Sequence, residues 1–297
     1  MIKAIFQGYL EKQSAFHLEN TQKSIKCANI NINGKRNIMT IKTKKEIDLM
    51  RKAGLILWGA HQKAKELVFP GTMTKEIDSV VEEFILSKGA KPLFKGVPGK
   101  VPFPASACIS INDEIVHGIP STRKLSPGDI VSIDIGVKAG DWCADAAVTW
   151  PVGKVADEKV KLLQKTEEIL RYAIRALSKK TRWSHIARKM QSKAESDNFS
   201  IIRNLVGHGI GKTLWEHPQI PNYYDRNMED FRILQGAVLA VEPMITTGSG
   251  ENRLLNDSWT IATKDGSPSA HFEHTIAITE NGPFVLTCGP SGEGWAM

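Results

Sequence analysis

The spacing of hydrophobic positions along the chain predicts four helices. The first begins after Thr43, because Thr43 and Glu46 form a capping box in which each side chain accepts a hydrogen bond from a free backbone N–H. Behind this cap, apolar residues recur every three or four positions until Pro70 and Gly71 end the pattern. The predicted helices cover about 44–68, 74–88, 157–178 and 184–197.

Short apolar or alternating runs predict strands after each pair of helices. Because helices and strands occur in separate groups, the order indicates an α+β fold in which helices cover an antiparallel sheet. Residues 91–105 are rich in proline and glycine and are predicted to form a loop. The predicted strands are 107–111, 130–137, 142–152, 201–206, 237–247, 258–263, 272–279 and 284–287.

The first 39 residues differ from the rest of the chain. They are polar, rich in Lys, Asn and Gln, and follow neither the helical nor the strand period. We therefore predict that residues 1–39 form a basic, flexible extension and that residues 40–297 form the folded domain.

The composition excludes several classes of protein. Of the 297 residues, 41% are hydrophobic and 24% are charged, which is typical of globular proteins and not of disordered or fibrous ones. No apolar run approaches the roughly 18 residues that span a bilayer, and the first residues lack the apolar core of a secretory signal. Four scattered cysteines (Cys27, Cys108, Cys143 and Cys288) do not make a disulfide framework. We expect a reduced, cytoplasmic protein with no membrane partner.

The net charge of +7 comes from one end of the chain. Residues 1–52 contain 11 Lys and Arg against 4 Asp and Glu, whereas residues 53–297 contain 28 of each. This charge distribution therefore argues against a nucleic-acid-binding surface over the whole protein. The basic end could still attract a polyanion.

The run from Ile130 to Val137 alternates cleanly and predicts one strand of a hairpin. If Ala139-Gly140 forms a two-residue turn, Asp134 directly faces Asp145 in the neighbouring strand. Two facing carboxylates are destabilising unless a cation or a shared proton lies between them. The pair therefore indicates a metal or catalytic site, unless one Asp caps a turn or a bulge shifts the register.

Three further polar residues lie in apolar surroundings. Glu242 and Glu273 interrupt predicted strands, and His208 stands between two glycines. Each one alone could be structural. Together with the two aspartates they form an oxygen-rich set with one nitrogen, which suits two divalent ions such as Mn, Fe, Co or Zn, and four carboxylates balance the charge of two such ions.

Six segments carry a resemblance to a known family: Asn112–Pro120, Gly128–Val131, Ile133–Gly136, Gly207–Gly211, Val241–Pro243 and Phe272–Thr275. In this order and spacing the chain resembles the type I methionine aminopeptidases of the pita-bread superfamily, from about Met39 onward. The 34 residues between His208 and Glu242 leave no room for the helical insertion of the type II enzymes. The resemblance implies a pita-bread fold, in which helices cover a pseudo-twofold antiparallel sheet with a dinuclear metal site.

The resemblance also implies a role for each motif residue. Asp145 and Glu273 would bridge two divalent ions, Asp134 would complete one of them, and His208 with Glu242 would complete the other. A metal-bridged hydroxide would attack the carbonyl after the initiator methionine. Glu242 would assist the proton transfer, and His117 would contact the scissile amide nitrogen. The methionine side chain would lie against soft and aromatic groups, which suit a thioether: Phe103, Cys108, His117, Leu214 and Trp259.

The chain departs from the family pattern at Trp215. The family reads His-Glu-x-Pro after its His-Gly-Ile-Gly motif, and that first His helps to polarise the substrate carbonyl. Here the segment is Trp215-Glu216-His217-Pro218, so an indole that can donate a hydrogen bond but carries no charge occupies the His position. We predict a slower enzyme, unless the indole N–H or His217 takes over that role.

The implied activity is removal of the initiator methionine from nascent proteins, with a preference for a small second residue, by a monomer. Two alternatives stay open: a peptidase of the same fold that cleaves Xaa-Pro bonds, and a non-catalytic binding protein on that fold. Because nascent chains emerge from ribosomes, we hypothesise that residues 1–52 add a weak, salt-sensitive attraction to ribosomal RNA; a solubilising tail explains the same charge.

Overall fold

The computed structural model of the protein describes residues 29–30, 36–37 and 39–297. The four helices in this described part match the predicted ones to within a few residues at each end: α1 (Lys44–Glu66), α2 (Thr74–Ser87), α3 (Asp157–Ala176) and α4 (Trp183–Glu195). The capping box of Thr43 and Glu46 is present at the start of α1. Most of the predicted extension, residues 1–39, lies outside the described residues. Two short strands within it, β1 (Asn29–Ile30) and β2 (Arg36–Asn37), pair antiparallel.

The first half of the domain consists of α1 and α2 followed by five strands. Four of them form one antiparallel sheet in which β6 pairs with β3, β4 and β7. Strands β6 and β7, each of ten residues, are the longest in the described chain and are joined by a two-residue turn. The five strands are β3 (Lys91–Pro92), β4 (Ala107–Ile111), β5 (Glu114–Val116), β6 (Ile130–Ala139) and β7 (Trp142–Pro151).

The second half repeats the order of two helices followed by antiparallel strands. Its largest sheet has the order β10-β9-β11-β16-β17, and shorter strands form two three-stranded sheets beside it. The strands are β8 (Ser200–Ile201), β9 (Val206–Gly209), β10 (Glu216–Pro221), β11 (Val238–Val241), β12 (Met244–Thr246), β13 (Asn252–Leu254), β14 (Ile261–Thr263), β15 (Ser269–His271), β16 (His274–Thr279) and β17 (Gly282–Val285). This segregated arrangement confirms the predicted α+β class.

The predicted register of the hairpin is wrong by two residues. The turn residues are Gly140 and Asp141, so Asp145 lies opposite Gly136 and Asp134 lies opposite Ala147. Gly140 has a φ of +58°, a conformation that glycine adopts without strain, and this favours glycine at the first position of the turn. A register shift of two residues leaves every side chain on its predicted face of the sheet. The two aspartates therefore stay on one face, as diagonal neighbours instead of a directly opposed pair.

The predicted strands of the second half are too long. The run 201–206 divides into β8 and β9, and the run 237–247 divides at Glu242 into β11 and β12. The second break follows from Pro243, which has no N–H to continue the ladder. Within the domain, strands β3, β5, β10, β13 and β15 were not predicted. Four of these five have only two or three residues, too few to show a period, and β10 contains two prolines.

Helix α1 packs across both halves of the domain. Its buried face, which includes Met50, Ala53 and Leu57, contacts the β6–β7 hairpin and β16. Gly54 lies so close to the next layer that an added Cβ would stand 1.9 Å from the carbonyl oxygen of Leu286. Within the described chain, Cys108, Cys143 and Cys288 are free and buried, and no helix is long and apolar enough to cross a membrane.

Candidate metal centre

The hairpin supplies the first two acidic side chains of the site. The carboxyl groups of Asp134 and Asp145 lie on the same face of the hairpin, close enough to share a proton. The main chain of Asp145 is held from the second half, because its N–H donates to the Thr275 hydroxyl (2.9 Å) and its carbonyl accepts from that hydroxyl (2.8 Å). The two aspartates are therefore positioned by one regular ladder and one hydroxyl from β16.

His208 lies in β9, between two glycines that let neighbouring strands approach closely. An added Cβ on Gly207 would stand 2.2 Å from the Ala240 carbonyl oxygen, and one on Gly209 would stand 2.4 Å from that of His217. The Nδ1 atom of His208 lies 2.9 Å from the Gly209 carbonyl oxygen, which only accepts, so Nδ1 carries the proton. Burial lowers the pKa of His208 to about 4, and Nε2 is left with a lone pair.

Glu242 and Glu273 lie at breaks between strands. Glu242 follows β11, and its carbonyl accepts a hydrogen bond from the Asn222 side chain (3.0 Å). Glu273 lies between β15 and β16, where its N–H donates to the Ala147 carbonyl (2.8 Å) and its carbonyl accepts from the Trp295 indole (3.0 Å). These main-chain bonds aim both side chains at the hairpin carboxylates.

All five predicted ligands therefore converge. Ligand atoms of Asp145, His208 and Glu273 lie within 4.8 Å of one another. The Nε2 atom of His208 is 3.7 Å from Oδ2 of Asp145 and 3.9 Å from Oε1 of Glu242. Asp134 adjoins the group through Asp145, whose charge raises the pKa of the Asp134 carboxyl.

The four carboxyl groups of this cluster repel one another, so positive charge close to them would stabilise their ionised forms. Burial, followed by the repulsion of neighbouring carboxylates, raises the pKa of Asp134, Glu242 and Glu273 well above the ordinary range, and burial raises that of Asp145 to about 7. No described residue hydrogen-bonds to Oδ1 of Asp134, Oδ1 of Asp145 or Oε1 of Glu273. Buried oxygens without a donor are costly, so the residues present fit divalent ions that would satisfy them.

The predicted methionine-binding residues lie together beside the cluster. Phe103, Cys108 and Leu214 are buried in one hydrophobic group, and Trp259 packs against it with its ring 5.2 Å from that of Phe103. Cys108 stands opposite Asp134 in the β4–β6 ladder. Burial and the nearby carboxylates raise the pKa of its thiol, which is therefore neutral. The apolar group thus adjoins the metal ligands directly.

His117 stands at the edge of this group, with its ring 6.4 Å from that of Trp259. Burial lowers its pKa to about 4, so the imidazole is neutral near pH 7. Its φ of +59° is uncommon for a residue with a Cβ and costs on the order of 1–3 kcal/mol. The following Gly118 is packed so tightly on β4 that an added Cβ would stand 2.2 Å from the Ile109 carbonyl oxygen, which holds this conformation in place.

Trp215 is half-buried and packs against the same hydrophobic group as Leu214 and Trp259. The segment is anchored at Glu216, whose carboxylate accepts from the Lys42 ammonium (2.7 Å) and from the N–H of Lys212 (3.0 Å). His217 is also half-buried, and burial lowers its pKa. The departure from the family pattern therefore lies at the wall of the predicted methionine-binding group.

One site residue, His271, was missed from the sequence. Its Nε2 is 3.8 Å from Oε2 of Glu242 and 4.0 Å from Oε2 of Glu273. The signal in the sequence is the spacing of two between His271 and Glu273, which puts both side chains on one side of an extended chain. His274 instead bonds to the Thr287 hydroxyl and the Trp295 carbonyl.

Comparisons with known proteins identify the family of the chain. The model of metallopeptidase family M24 matches residues 48–280. Methionine aminopeptidase 1 of Bacillus subtilis is 46% identical over 83% of this chain and 98% of its own length. The crystal structure of methionine aminopeptidase from Thermotoga maritima has 39% identity and a TM-score of 0.79, and covers 84% of this chain and 99% of its own.

A prolidase from Pyrococcus furiosus, at 24% identity and a TM-score of 0.66 over 83% of this chain and 65% of its own, shares the fold. The fold and the cluster of carboxylates with one imidazole define a metallopeptidase. The chain belongs to metallopeptidase family M24 and, within that family, to the methionine aminopeptidases, which confirms the predicted pita-bread fold.

Proposed function

We propose that the chain is a metallo-aminopeptidase that removes an N-terminal methionine by hydrolysis, favouring substrates with a small second residue. One observation carries the proposal: four carboxylates, two buried and two half-buried, and a neutral imidazole converge beside a group of aromatic and sulfur-containing side chains. Polar atoms without donors suit divalent ions, and soft, aromatic surroundings suit a thioether. The arrangement therefore brings a hydrolytic centre next to a pocket for methionine.

Two divalent ions would be held by Asp134, Asp145, His208, Glu242 and Glu273. Bound ions of this kind polarise a carbonyl and lower the pKa of water toward neutrality. Oxygen ligands with a single neutral imidazole suit Mn, Fe, Co and Zn, and do not choose among them.

The remaining steps belong to side chains of the chain itself. Glu242 would take the proton from the attacking water and return it to the leaving amine, since its carboxylate is half-buried at the edge of the cluster. His117 would contact the scissile amide nitrogen as a neutral imidazole. The methionine side chain would be bound by Phe103, Cys108, His117, Leu214 and Trp259.

The experiment that tests this activity is a metal titration of peptide cleavage. Metal-free protein is mixed with Met-Ala-Ser or with an Ala-Pro peptide, and Mn, Fe, Co or Zn is added up to several equivalents. We expect methionine release from Met-Ala-Ser that saturates near two ions per chain, and loss of that activity in Asp134→Asn. Cleavage of the Ala-Pro peptide alone would identify an Xaa-Pro peptidase, and the failure of every ion to bind would identify a non-catalytic binding protein.

We further propose that the protein acts in the cytoplasm as a monomer on nascent chains, and that its basic end adds weak attraction to ribosomal RNA. Two of the basic residues in 1–52 are engaged within the fold: Lys42 pairs with Glu216, and Arg51 donates to the carbonyls of Leu286, Cys288 and Gly289. Lys44, Lys45 and Lys52 are exposed and remain open to phosphates.

Ribosome co-sedimentation across a salt series tests this attraction. The full chain is compared with a chain that lacks residues 1–38. We expect the full chain to bind more ribosome at low salt and to lose that excess as salt rises. Equal binding of the two chains at every salt concentration contradicts the proposal and leaves the extension as a solubilising tail.

A further inference from the structure

His271 is a buried imidazole whose two ring nitrogens have no hydrogen-bond partner among the described residues. Only 2% of its side chain is exposed. A buried polar atom without a partner costs on the order of 1–3 kcal/mol, and here there are two on one ring. His274, three residues further on, has both ring nitrogens bonded. The lack of a protein partner for both ring nitrogens of His271 therefore indicates that the ring binds something other than a protein group.

The position of the His271 ring is fixed by its main chain. The His271 N–H donates to the Thr149 hydroxyl (2.9 Å), and the His271 carbonyl accepts from that hydroxyl (2.8 Å). His271 also pairs with Met244 in the β12–β15 ladder. The main chain is thus held by β7 and by β12, and the ring stands over the carboxylates of Glu242 and Glu273.

The distances around Nε2 of His271 are those between ligands of one ion. Its two carboxylate neighbours, at 3.8 Å and 4.0 Å, are too far for a hydrogen bond. His208 has nearly the same surroundings, with carboxylate oxygens 3.7 Å and 3.9 Å from its Nε2. Two atoms about 2.1 Å from one ion lie roughly 3.4–3.6 Å apart, so each ring nitrogen would need to approach its carboxylate neighbours by about 0.1–0.6 Å.

Glu242 stands between the two histidines. Its Oε1 is the oxygen near His208, and its Oε2 is the oxygen near His271. This arrangement is expected if each imidazole binds a metal ion that Glu242 also binds.

We propose that His271 is a ligand of the metal centre through Nε2, in addition to the five ligands identified from the sequence. The proposal rests on the metal centre of the proposed function and not on its peptide specificity. A second imidazole makes the ligand set richer in nitrogen, which favours Zn, Co and Fe over Mg and Ca.

The test measures metal binding without any peptide. Metal-free unaltered protein, His271→Ala and His271→Gln are titrated with Co²⁺ in a calorimeter, and the visible absorption of the loaded proteins is compared. We expect both variants to bind one ion at least about tenfold more weakly, because even residues that only support a ligand contribute 10–100-fold. We also expect their cobalt absorption to change, because it depends on the number and kind of ligand atoms.

Two controls frame the result. His208→Ala removes an imidazole that the sequence already identifies as a ligand, and should weaken one ion similarly. His185→Ala removes an exposed imidazole on α4 and should change neither affinity nor spectrum. Circular dichroism in EDTA checks the fold, and if the alanine variant does not fold, the glutamine variant decides alone.

The outcomes are distinguishable. Unchanged affinity and spectrum in His271→Ala overturn the proposal. Full recovery of both in His271→Gln also overturns it, because an amide keeps the hydrogen bonding without the imidazole nitrogen, and His271 would then be a positioning residue for Glu242. If the unaltered chain binds Co²⁺ but does not cleave Met-Ala-Ser, the proposed function fails and the test of His271 still stands.

Discussion

The two halves of the domain hold their candidate metal ligands in different ways. Asp134 and Asp145 lie within the paired interior of ten-residue strands, where a continuous ladder sets their positions. His208 lies in a strand of four residues, and Glu242 and Glu273 lie at interruptions between strands. The same site is therefore built from a regular platform on one side and from irregular chain on the other.

The difference shows two routes to a fixed side chain. In the regular half, backbone pairing places the carboxylates, with one further anchor from the Thr275 hydroxyl to the main chain of Asp145. In the irregular half, His208 is held by strand pairing, whereas Glu242 and Glu273 have separate main-chain anchors from the Asn222 amide and the Trp295 indole. We therefore expect the hairpin to keep its geometry when a ligand is removed, and the irregular half to be more sensitive to substitution around the site.

The largest expected effect comes from Asp145→Asn. Asparagine has the same shape but no charge, so it should weaken metal binding and lower kcat/KM for Met-Ala-Ser by at least about 10³-fold, as expected for residues that act as one unit. Metal-free Asp145→Asn should unfold in denaturant at a midpoint no lower than the unaltered protein, because one like charge is gone.

The control for this variant is Asp141→Asn, which removes an exposed carboxylate from the turn of the same hairpin. It should change neither metal binding nor activity. A lower denaturant midpoint in metal-free Asp145→Asn would contradict the view that the hairpin is a preformed platform.

A smaller effect is expected from Trp215→His in the irregular half. An imidazole in place of the indole can polarise a carbonyl more strongly, so turnover should rise by up to about 10²-fold. Steady-state kinetics with Met-Ala-Ser at saturating metal provide the measurement. Unchanged turnover in a folded, metal-loaded variant would show that tryptophan at this position does not slow the reaction.

His217→Ala separates the two candidates for the missing group. If His217 has taken over the role, this variant should lose activity in the unaltered background and keep it when Trp215→His is also present. If activity is the same with and without His217, the imidazole at that position has no part in the reaction.

The smallest expected effect is the pH dependence of stability in the metal-free protein. The raised pKa values mean that the folded state holds protons on these carboxyls that the unfolded state has released. Their contribution to the free energy of unfolding is fully present below about pH 4 and is lost as pH rises, for Asp145 up to about pH 7. The loss should be on the order of a few kcal/mol.

Guanidinium unfolding in EDTA between pH 5 and 8 measures this dependence. Saturating Mn²⁺ should abolish the loss, because the ions stabilise the ionised carboxylates. The buried histidines have lowered pKa values and contribute a gain in stability up to about pH 6.5, so the effect of the carboxyls is measured as the difference between the unaltered protein and Asp145→Asn. Metal-free Asp145→Asn should lose less stability between pH 5 and 8 than the unaltered protein, and the same pH dependence in both proteins would contradict the predicted repulsion.

The regular half also explains how much of the fold could be predicted. Helix α1 was predicted closely because its capping box and spacing are local signals. The hairpin was predicted as a pair of strands, but its register depends on whether the turn is Ala139-Gly140 or Gly140-Asp141, and a sequence with one glycine there permits either. The error was harmless to the site, since a shift of two keeps both aspartates on one face.

The irregular half was harder to predict for a physical reason. Strands of two or three residues show no period, and their pairing comes from distant chain, as in the bonds of Ser269 to Ile245 and of Glu273 to Ala147. The five candidate ligands could be selected from the sequence because charge in an apolar run is visible without a fold. His271 was not, because a histidine next to apolar residues is ordinary until its neighbours are known.

The Thr275 hydroxyl has a consequence for the tolerances of the site. It takes one hydrogen bond from the main chain of Asp145 and gives one back, so β7 and β16 are joined at the level of the backbone. Any sliding of one half against the other must break both bonds at once. The distance between the hairpin carboxylates and the candidate ligands of the second half is therefore fixed by the relative backbone positions of β7 and β16, and side-chain motion changes it little.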